Sequence, residues 1–353
     1  MTVPRIDVRP IRIRDLLRLR SMRADALMPD QSNGPLGQRM PDPWAVLPGS
    51  RRTRRSFVAF VDGSAAVLVD LIADPANHRW VLSRVLTSRN VPSDEREFGR
   101  ERVWQEMMLQ AIRSAGLARI KRIHAVLDDE APIIESLIQT GFSQYAQDTV
   151  MTSPMLSSDG PTGLIRRQDP SDVWAIHQLY HSVTPRPVQY SEALTSNYWS
   201  RVVPGQQASR GYVVEDGLEV VAHCRVTFGR NGPTMNVMVA PDALELVCPV
   251  VQEVAADVGR QNNGRYSVVV PDYLQEYGGQ LAILGFEPSR RQTRLVKHTV
   301  VARRMQFRGV EELVKDSPER VAAGSPGLYY VPAGRSDSTR SGAQSTREQH
   351  ERS

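Results

Sequence analysis

The sequence predicts an α+β protein built as two copies of one mixed-sheet unit in tandem, followed by a polar tail. Three observations predict it. The chain has 353 residues, more than one core accommodates and enough for two at roughly 100–200 residues per domain. A series of strand and helix signals running through residues 1–152 runs again, in the same order, through residues 164–304. Beyond residue 304 that pattern stops. One short helix is expected at residues 310–315, and residues 336–353 are rich in Ser, Arg, Gln and Glu, a composition that favours disorder.

Each copy opens with a short apolar strand that leads into a helix. Residues 8–17 align with residues 165–174, so that Arg9 and Asp15 match Arg166 and Asp172. Each aspartate stands before apolar residues at helical spacing and is expected to cap that helix. Residues 57–63 and 212–217 are apolar runs closed by Asp-Gly, the dipeptide that favours a two-residue hairpin turn. Second strands follow at 65–72 and 219–226, and third ones at 80–86 and 234–239.

An amphipathic helix is expected from Gly99 to Gly116, with its partner from Ala243 to Gly259. Each leads into a strand of buried type, residues 123–127 and 266–270. A further helix ends in both copies on one dipeptide, Gly141-Phe142 and Gly285-Phe286, and last strands are expected through 149–151 and 294–300. The organisation expected is a first domain at 1–152, a Ser/Pro/Gly-rich linker at 153–163, a second domain at 164–304, and an extension with a disordered tail at 305–353.

Composition narrows the function classes. Hydrophobic residues make up 41% and charged residues 24%, ordinary values for a globular body. The two cysteines, Cys224 and Cys248, fall in no CxxC or Cys/His pattern, which removes disulfide scaffolds and zinc fingers. No secretion signal and no run of about 18 apolar residues occurs, so the chain reads as cytoplasmic with no membrane partner. The net charge is +5 and only Lys121, Lys297 and Lys315 are lysines. Arginine forks suit a phosphate-bearing cofactor or nucleic acid, and codon bias explains the same excess. Arg51, Arg52, Arg54 and Arg55 form either an anion contact or a solvated loop before a strand.

The order of elements resembles the GNAT superfamily of acyl-CoA-dependent N-acyltransferases. The resemblance covers residues 5–152 and 163–302, with its most specific marks at Arg9-Pro10 and Asp15, at Asp62-Gly63, and at residues 126–132 leading to Thr140-Gly141-Phe142. It implies two tandem GNAT-like domains, with acetyl-CoA bound as acyl donor where the fourth and fifth strands splay. The fourth-strand backbone, here Val85 and Leu86, would meet the acyl arm and hold the developing oxyanion. The pyrophosphate would lie on backbone amides before the following helix, in a Gln/Arg-x-x-Gly-x-Gly/Ala pattern. Helix N-termini present unpaired N–H groups to anions.

In the first copy Arg96 and Gly99 fit that pattern, followed by Arg100, and Glu101 replaces the final small residue. Arg96, Arg100 and Arg102 stand ready to offset the glutamate, and a purely structural helix start is the alternative reading. The second copy has no such loop. Pro241 and Asp242 look like a plain helix start, and this copy is read as degenerate.

The family often carries a tyrosine four residues before Gly-Phe as proton donor, and this chain has Leu137 and Leu281 there. Tyr145 and Tyr277 are alternative donors. Asp128, Asp129 and Glu130 form either a base cluster or a solvated helix start. His177 and His181, four apart on an expected helix, lack the intervening glutamate of a zinc-hydrolase motif, and no metal is expected. The catalytic acid and base stay unassigned. The function expected is transfer of an acetyl group from acetyl-CoA to an unidentified small-molecule or peptide amine, by the first domain. A non-catalytic tandem module that binds acyl-CoA or a partner is one alternative, and a basic nucleic-acid-associated protein is the other.

Overall fold

The computed structural model describes residues 5–20, 24–26, 54–74, 77–89, 99–154, 156, 163–200, 209–229, 232–259 and 265–299, all within one compact unit. The tail at 305–353, its expected helix at 310–315, and most of the linker at 153–163 lie outside these residues. The first half forms β1 (Ile6–Pro10), α1 (Asp15–Arg20), β2 (Ala24–Ala26), β3 (Arg54–Val61), β4 (Ser64–Asp74), β5 (Arg79–Ser88), α2 (Arg100–Leu117), β6 (Arg122–Asp128), α3 (Ile133–Gln139) and β7 (Ser143–Ser153). The second half opens with β8 (Arg166–Arg167), a 3₁₀ turn (Pro170–Asp172), α4 (Val173–Val183), α5 (Arg186–Glu192) and a 3₁₀ turn (Ser196–Trp199). It continues with β9 (Ser209–Asp216), β10 (Glu219–Gly229), β11 (Gly232–Val239), α6 (Val247–Gly259), β12 (Tyr266–Pro271), α7 (Glu276–Ile283) and β13 (Glu287–His298). This is the order of elements that the internal repeat predicts, in an α+β fold. Arg54 and Arg55, expected in a loop, are half-buried residues of β3.

Apolar alternation along the strands decides which face each helix covers. On β4, Val67, Val69, Leu71 and Ala73 join Trp104, Met107, Met108 and Ala111 of α2 in one core. The intervening Leu68 joins Val58, Phe60, Ile11 and Leu19 on the α1 face. In the second half Val250, Val251 and Val254 of α6 meet Val226, Met235 and Val268. The opposite face holds Ile176, Tyr180, Trp199 and Val213.

The repeated arginine–aspartate spacing becomes one device built twice. Arg9 Nη1 and Nη2 donate to Asp15 at 2.6 and 2.8 Å, and Arg166 Nη1 and Nη2 to Asp172 at 2.8 and 2.7 Å. Neither aspartate caps the helix ahead of it, as its position had suggested. Each instead accepts from a backbone N–H three residues back, Arg12 for Asp15 and Asp169 for Asp172, because the arginine on the preceding strand holds the carboxylate over the turn.

Burial pushes the Asp15 carboxyl up, but the Arg9 fork and the Arg12 N–H outweigh it and hold it below its ordinary value. The Arg166 fork does the same for Asp172. A carboxyl depressed in the folded state stabilises above its unfolded pKa of about 4, and that contribution is lost as pH falls through the folded value. The denaturation midpoint should therefore drop below about pH 4 in the wild type. In an Asp15→Asn, Asp172→Asn variant it should start lower at pH 7 and show a flatter acid limb. An unchanged limb would remove these pairs as its cause.

The turns close the repeat with local variation. Val61 pairs with Ser64, leaving Asp62 and Gly63 as a two-residue loop with φ of +47° and +80°, the signature of a type I′ turn. In the second half Asp216 is the last strand residue and pairs with Glu219. The loop there has moved by one residue to Gly217-Leu218, with Gly217 at φ +62°. The Gly-Phe dipeptides are helix C-terminal caps. Phe142 N–H donates to Leu137 O and Gly141 N–H to Ile138 O, and Phe286 and Gly285 repeat this on Leu281 and Ala282. With the glycines at φ +86° and +79°, both are Schellman motifs.

Among the described residues, thirteen strands join one sheet in the order β1-β3-β4-β5-β6-β13-β7-β12-β11-β10-β9-β8, with β2 added on β5. The last strand of each half is laid into the other. β13 pairs with β6, β7 pairs with β12, and the two exchanged strands pair with each other. Aligning Gly141 on Gly285 makes Asp148 the counterpart of Gln292, and these two residues face each other in the β7–β13 ladder. A local two-fold therefore passes between them. On the α5 face of this seam Arg294 donates to Asp148 Oδ2 at 2.6 Å and to Glu192 Oε1 at 3.0 Å. Tyr180 donates to Glu192 Oε2 at 2.7 Å.

Candidate active site

β5 and β6 run parallel and pair only at Arg79, Trp80 and Val81 with Arg122, Ile123 and His124. Beyond that rung the strands part. Leu71 pairs with Leu82 and Asp70 with Arg84, so Ser83 is an extra residue, a β-bulge just past the last rung. On the face opposite α2, Arg84 and Ser56 both donate to the buried Asp70 carboxylate. Leu86 pairs with Leu68 of β4 and also with Ala26 of β2. β2 therefore lies on the edge of β5 that faces β6, covering Leu86, Thr87 and Ser88. No described strand takes the edge of residues 82–85.

The expected cofactor residues fall around this opening. Val85 lies on the open stretch, its side chain fully buried in the α2 core. Leu86 is buried too, with its backbone edge shielded by β2. Arg96 lies outside the described residues. Gly99 is the N-cap of α2, and no side-chain hydrogen bond caps that helix start. Arg100 Nε is buried with no hydrogen-bond partner among the described residues. An uncapped helix start beside an orphaned guanidinium N–H fits a phosphate group. Glu101 opposes it: its Oε2 folds back to within 3.1 Å of where a Cβ on Gly99 would stand.

One residue at the opening carried no weight in the sequence reading. His124 lies on the last rung of the β5–β6 ladder, and its neighbours Ile123 and Ala125 point into the α2 core. Its own side chain therefore takes the opposite face. It is 4% exposed, its Nε2 has no partner among the described residues, and its ring meets Tyr145 edge-on with centroids 6.0 Å apart. Burial first, then Arg79, Arg122, His298 and Arg294, push its pKa well below the usual histidine value, which keeps the ring neutral at pH 7. Burial pushes the Tyr145 phenol up, so it stays protonated. The signal available in the sequence was a lone histidine in an otherwise apolar strand, a pattern that core histidines share.

The second half has the same splay in a closed form. β11 and β12 pair at Thr234, Met235 and Asn236 with Ser267, Val268 and Val269. The β10–β11 ladder runs without a bulge, and the last rung carries Val269. Past it, Val239 N–H donates to Tyr277 Oη at 2.9 Å and Tyr277 O–H donates to Val239 O at 3.1 Å. Tyr277 is thus built into the second core, its phenol pushed up to about 12 by burial. Tyr277→Phe would leave both Val239 groups unpaired and should cost about 1–3 kcal/mol, read from urea denaturation. A loss under about 0.5 kcal/mol would mean that the tyrosine does not hold the closure.

The remaining candidates are structural. Asp128 accepts from Gln292 at 3.3 Å, and Asp129 accepts from Thr293 at 2.5 Å, so both carboxylates tie β6 to β13. Glu130 is exposed. Leu137 and Leu281 are fully buried, and their carbonyls carry the Schellman caps.

His177 and His181 belong to a hydrogen-bond chain. Trp199 Nε1–H donates to His177 Nδ1 at 3.1 Å, the two Nε2 atoms are 3.2 Å apart, and His181 Nδ1 lies 2.5 Å from Gln189 Oε1. Indole N–H is only a donor, so neutral His177 carries its proton on Nε2 and gives it to His181. His177 Nε2 then has no lone pair to offer a metal.

No protein-family model and no curated protein matches the chain. Among solved structures it is similar to a GCN5-related N-acetyltransferase from Sphaerobacter thermophilus, with a TM-score of 0.49 and 15% identity over 84% of this chain and 97% of that one. It is also similar to a tandem GNAT protein from the clavulanic acid biosynthesis pathway, with a TM-score of 0.49 and 12% identity over 83% of this chain and 98% of that one.

Proposed function

We propose that the first half, residues 1–152, is an acyl-CoA-dependent N-acyltransferase unit with acetyl-CoA as acyl donor, and that the second, residues 164–304, is a degenerate copy that frames the acceptor side. The observation that carries this reading is the inequality of the two splays. The first has a bulged fourth strand whose edge at residues 82–85 no described strand takes, and a titratable side chain on its last rung. The second is regular and bonded shut by Tyr277.

In this reading Val85 and Leu86 offer backbone to the acyl arm, and Arg96, Gly99 and Arg100 receive the pyrophosphate. β2 has to leave the edge of Leu86 for the arm to lie along it, and Glu101 has to swing away from the start of α2.

Isothermal titration with acetyl-CoA tests the reading. Binding by the whole protein is expected, weakened about tenfold by Arg100→Ala, or about 1.4 kcal/mol. No binding would end it. Thiol release with a panel of amines then separates transfer from binding alone. A non-catalytic acyl-CoA-binding module is the second reading, favoured by the burial of Leu137 and Leu281 where proton donors would stand.

A further inference from the structure

We propose that His124 shuttles the transferred proton, taking it from the acceptor amine at Nε2 and passing it to the departing thiolate. The proposal rests on the reading of the first half as the acyl-CoA unit. The amine lone pair forms the new C–N bond to the thioester carbonyl and the C–S bond breaks. The N–H proton goes to His124 Nε2 and from there to sulfur, so that amide and free thiol leave and the histidine is neutral again. One group serves as both base and acid.

Position is the first argument. His124 stands on the rung where the ladder ends, beside the bulged strand whose edge at residues 82–85 no described strand takes. The corresponding last rung of the closed splay carries Val269. Valency is the second. Nε2 is buried and spent on no described group, whereas Asp128, Asp129 and Tyr277 are each engaged in hydrogen bonds. The surroundings are the third. Tyr145 from β7 meets the ring edge-on, and Arg79 from β5, Arg122 from β6, and Arg294 and His298 from β13 act on it electrostatically. Four of these five are basic and keep the ring uncharged between turnovers. The same field makes the protonated ring a strong acid, suited to giving its proton up to sulfur.

The test follows the His124 ring by ¹H–¹⁵N NMR in the intact wild-type protein, with His124→Gln for assignment, while CoA and then acetyl-CoA are added. The ring signals are expected to move with either ligand. Thiol release by His124→Gln should fall about 10²- to 10⁴-fold with acetyl-CoA affinity within about twofold of wild type. A structural histidine would change stability on substitution but leave the wild-type ring signals unmoved by either ligand. Absence of acetyl-CoA binding in the wild type overturns both this proposal and the reading beneath it. Binding with a silent ring, or with unimpaired turnover by His124→Gln, overturns this proposal alone. The ring response decides the matter even if the variant fails to fold.

Discussion

Arg294→Ala is expected to cost about 3–5 kcal/mol of stability, a large part of the 5–15 kcal/mol that holds a typical domain. The side chain is 15% exposed and sits between Asp148 and Glu192, themselves 3% and 12% exposed. Removing the guanidinium leaves two carboxylates facing each other in the seam with one cation fewer. The magnitude comes from that orphaned charge rather than from the worth of the ion pairs, since a buried pair barely repays its own desolvation. A control separates the two. Arg294→Met combined with Asp148→Leu and Glu192→Gln removes the charges together and should recover most of the loss. Urea denaturation followed by two probes reads both variants. A loss below about 1 kcal/mol for Arg294→Ala would show that water already solvates the seam.

Local features of the fold were legible because local chemistry dictates them. Asp62-Gly63 demands positive φ and yields its turn, Gly141-Phe142 and Gly285-Phe286 mark Schellman caps, and the Arg9 and Arg166 spacings each place a fork over an aspartate. Where two features compete locally, the sequence misleads. The apolar spacing after Asp15 predicts a cap on the helix ahead, yet the arginine behind it takes the carboxylate.

The exchange of β7 and β13 was not legible, because strand order is set by pairing between residues far apart in sequence. Nothing in the apolar pattern of either strand names its neighbour. The candidate site divides the same way. The splay follows from strand order, whereas the bulge at Ser83 and a His124 Nε2 without a partner among the described residues appear only once three strands are in register.

Cutting the chain within residues 153–163 should abolish folding of the separate halves and permit it when they are mixed. Alone, the first half loses β13 from the edge of β6 and β12 from the edge of β7, and β6 then presents an unpaired backbone edge beside Ile123, Ala125 and Leu127. Such an edge invites association. The obvious escape is a homodimer in which β7 pairs with its own copy about the same two-fold. That escape sets Asp148 directly opposite Asp148, like charges across a rung, and puts Val150 where Arg294 would neutralise them. The seam thus specifies one half against the other rather than against itself. Light scattering on purified halves should find aggregate or unfolded chain for each, and a one-to-one complex after co-refolding. A first half that stayed monomeric and unfolded cooperatively would show that it carries its own seventh strand, and that the exchange across Asp148 and Gln292 is dispensable.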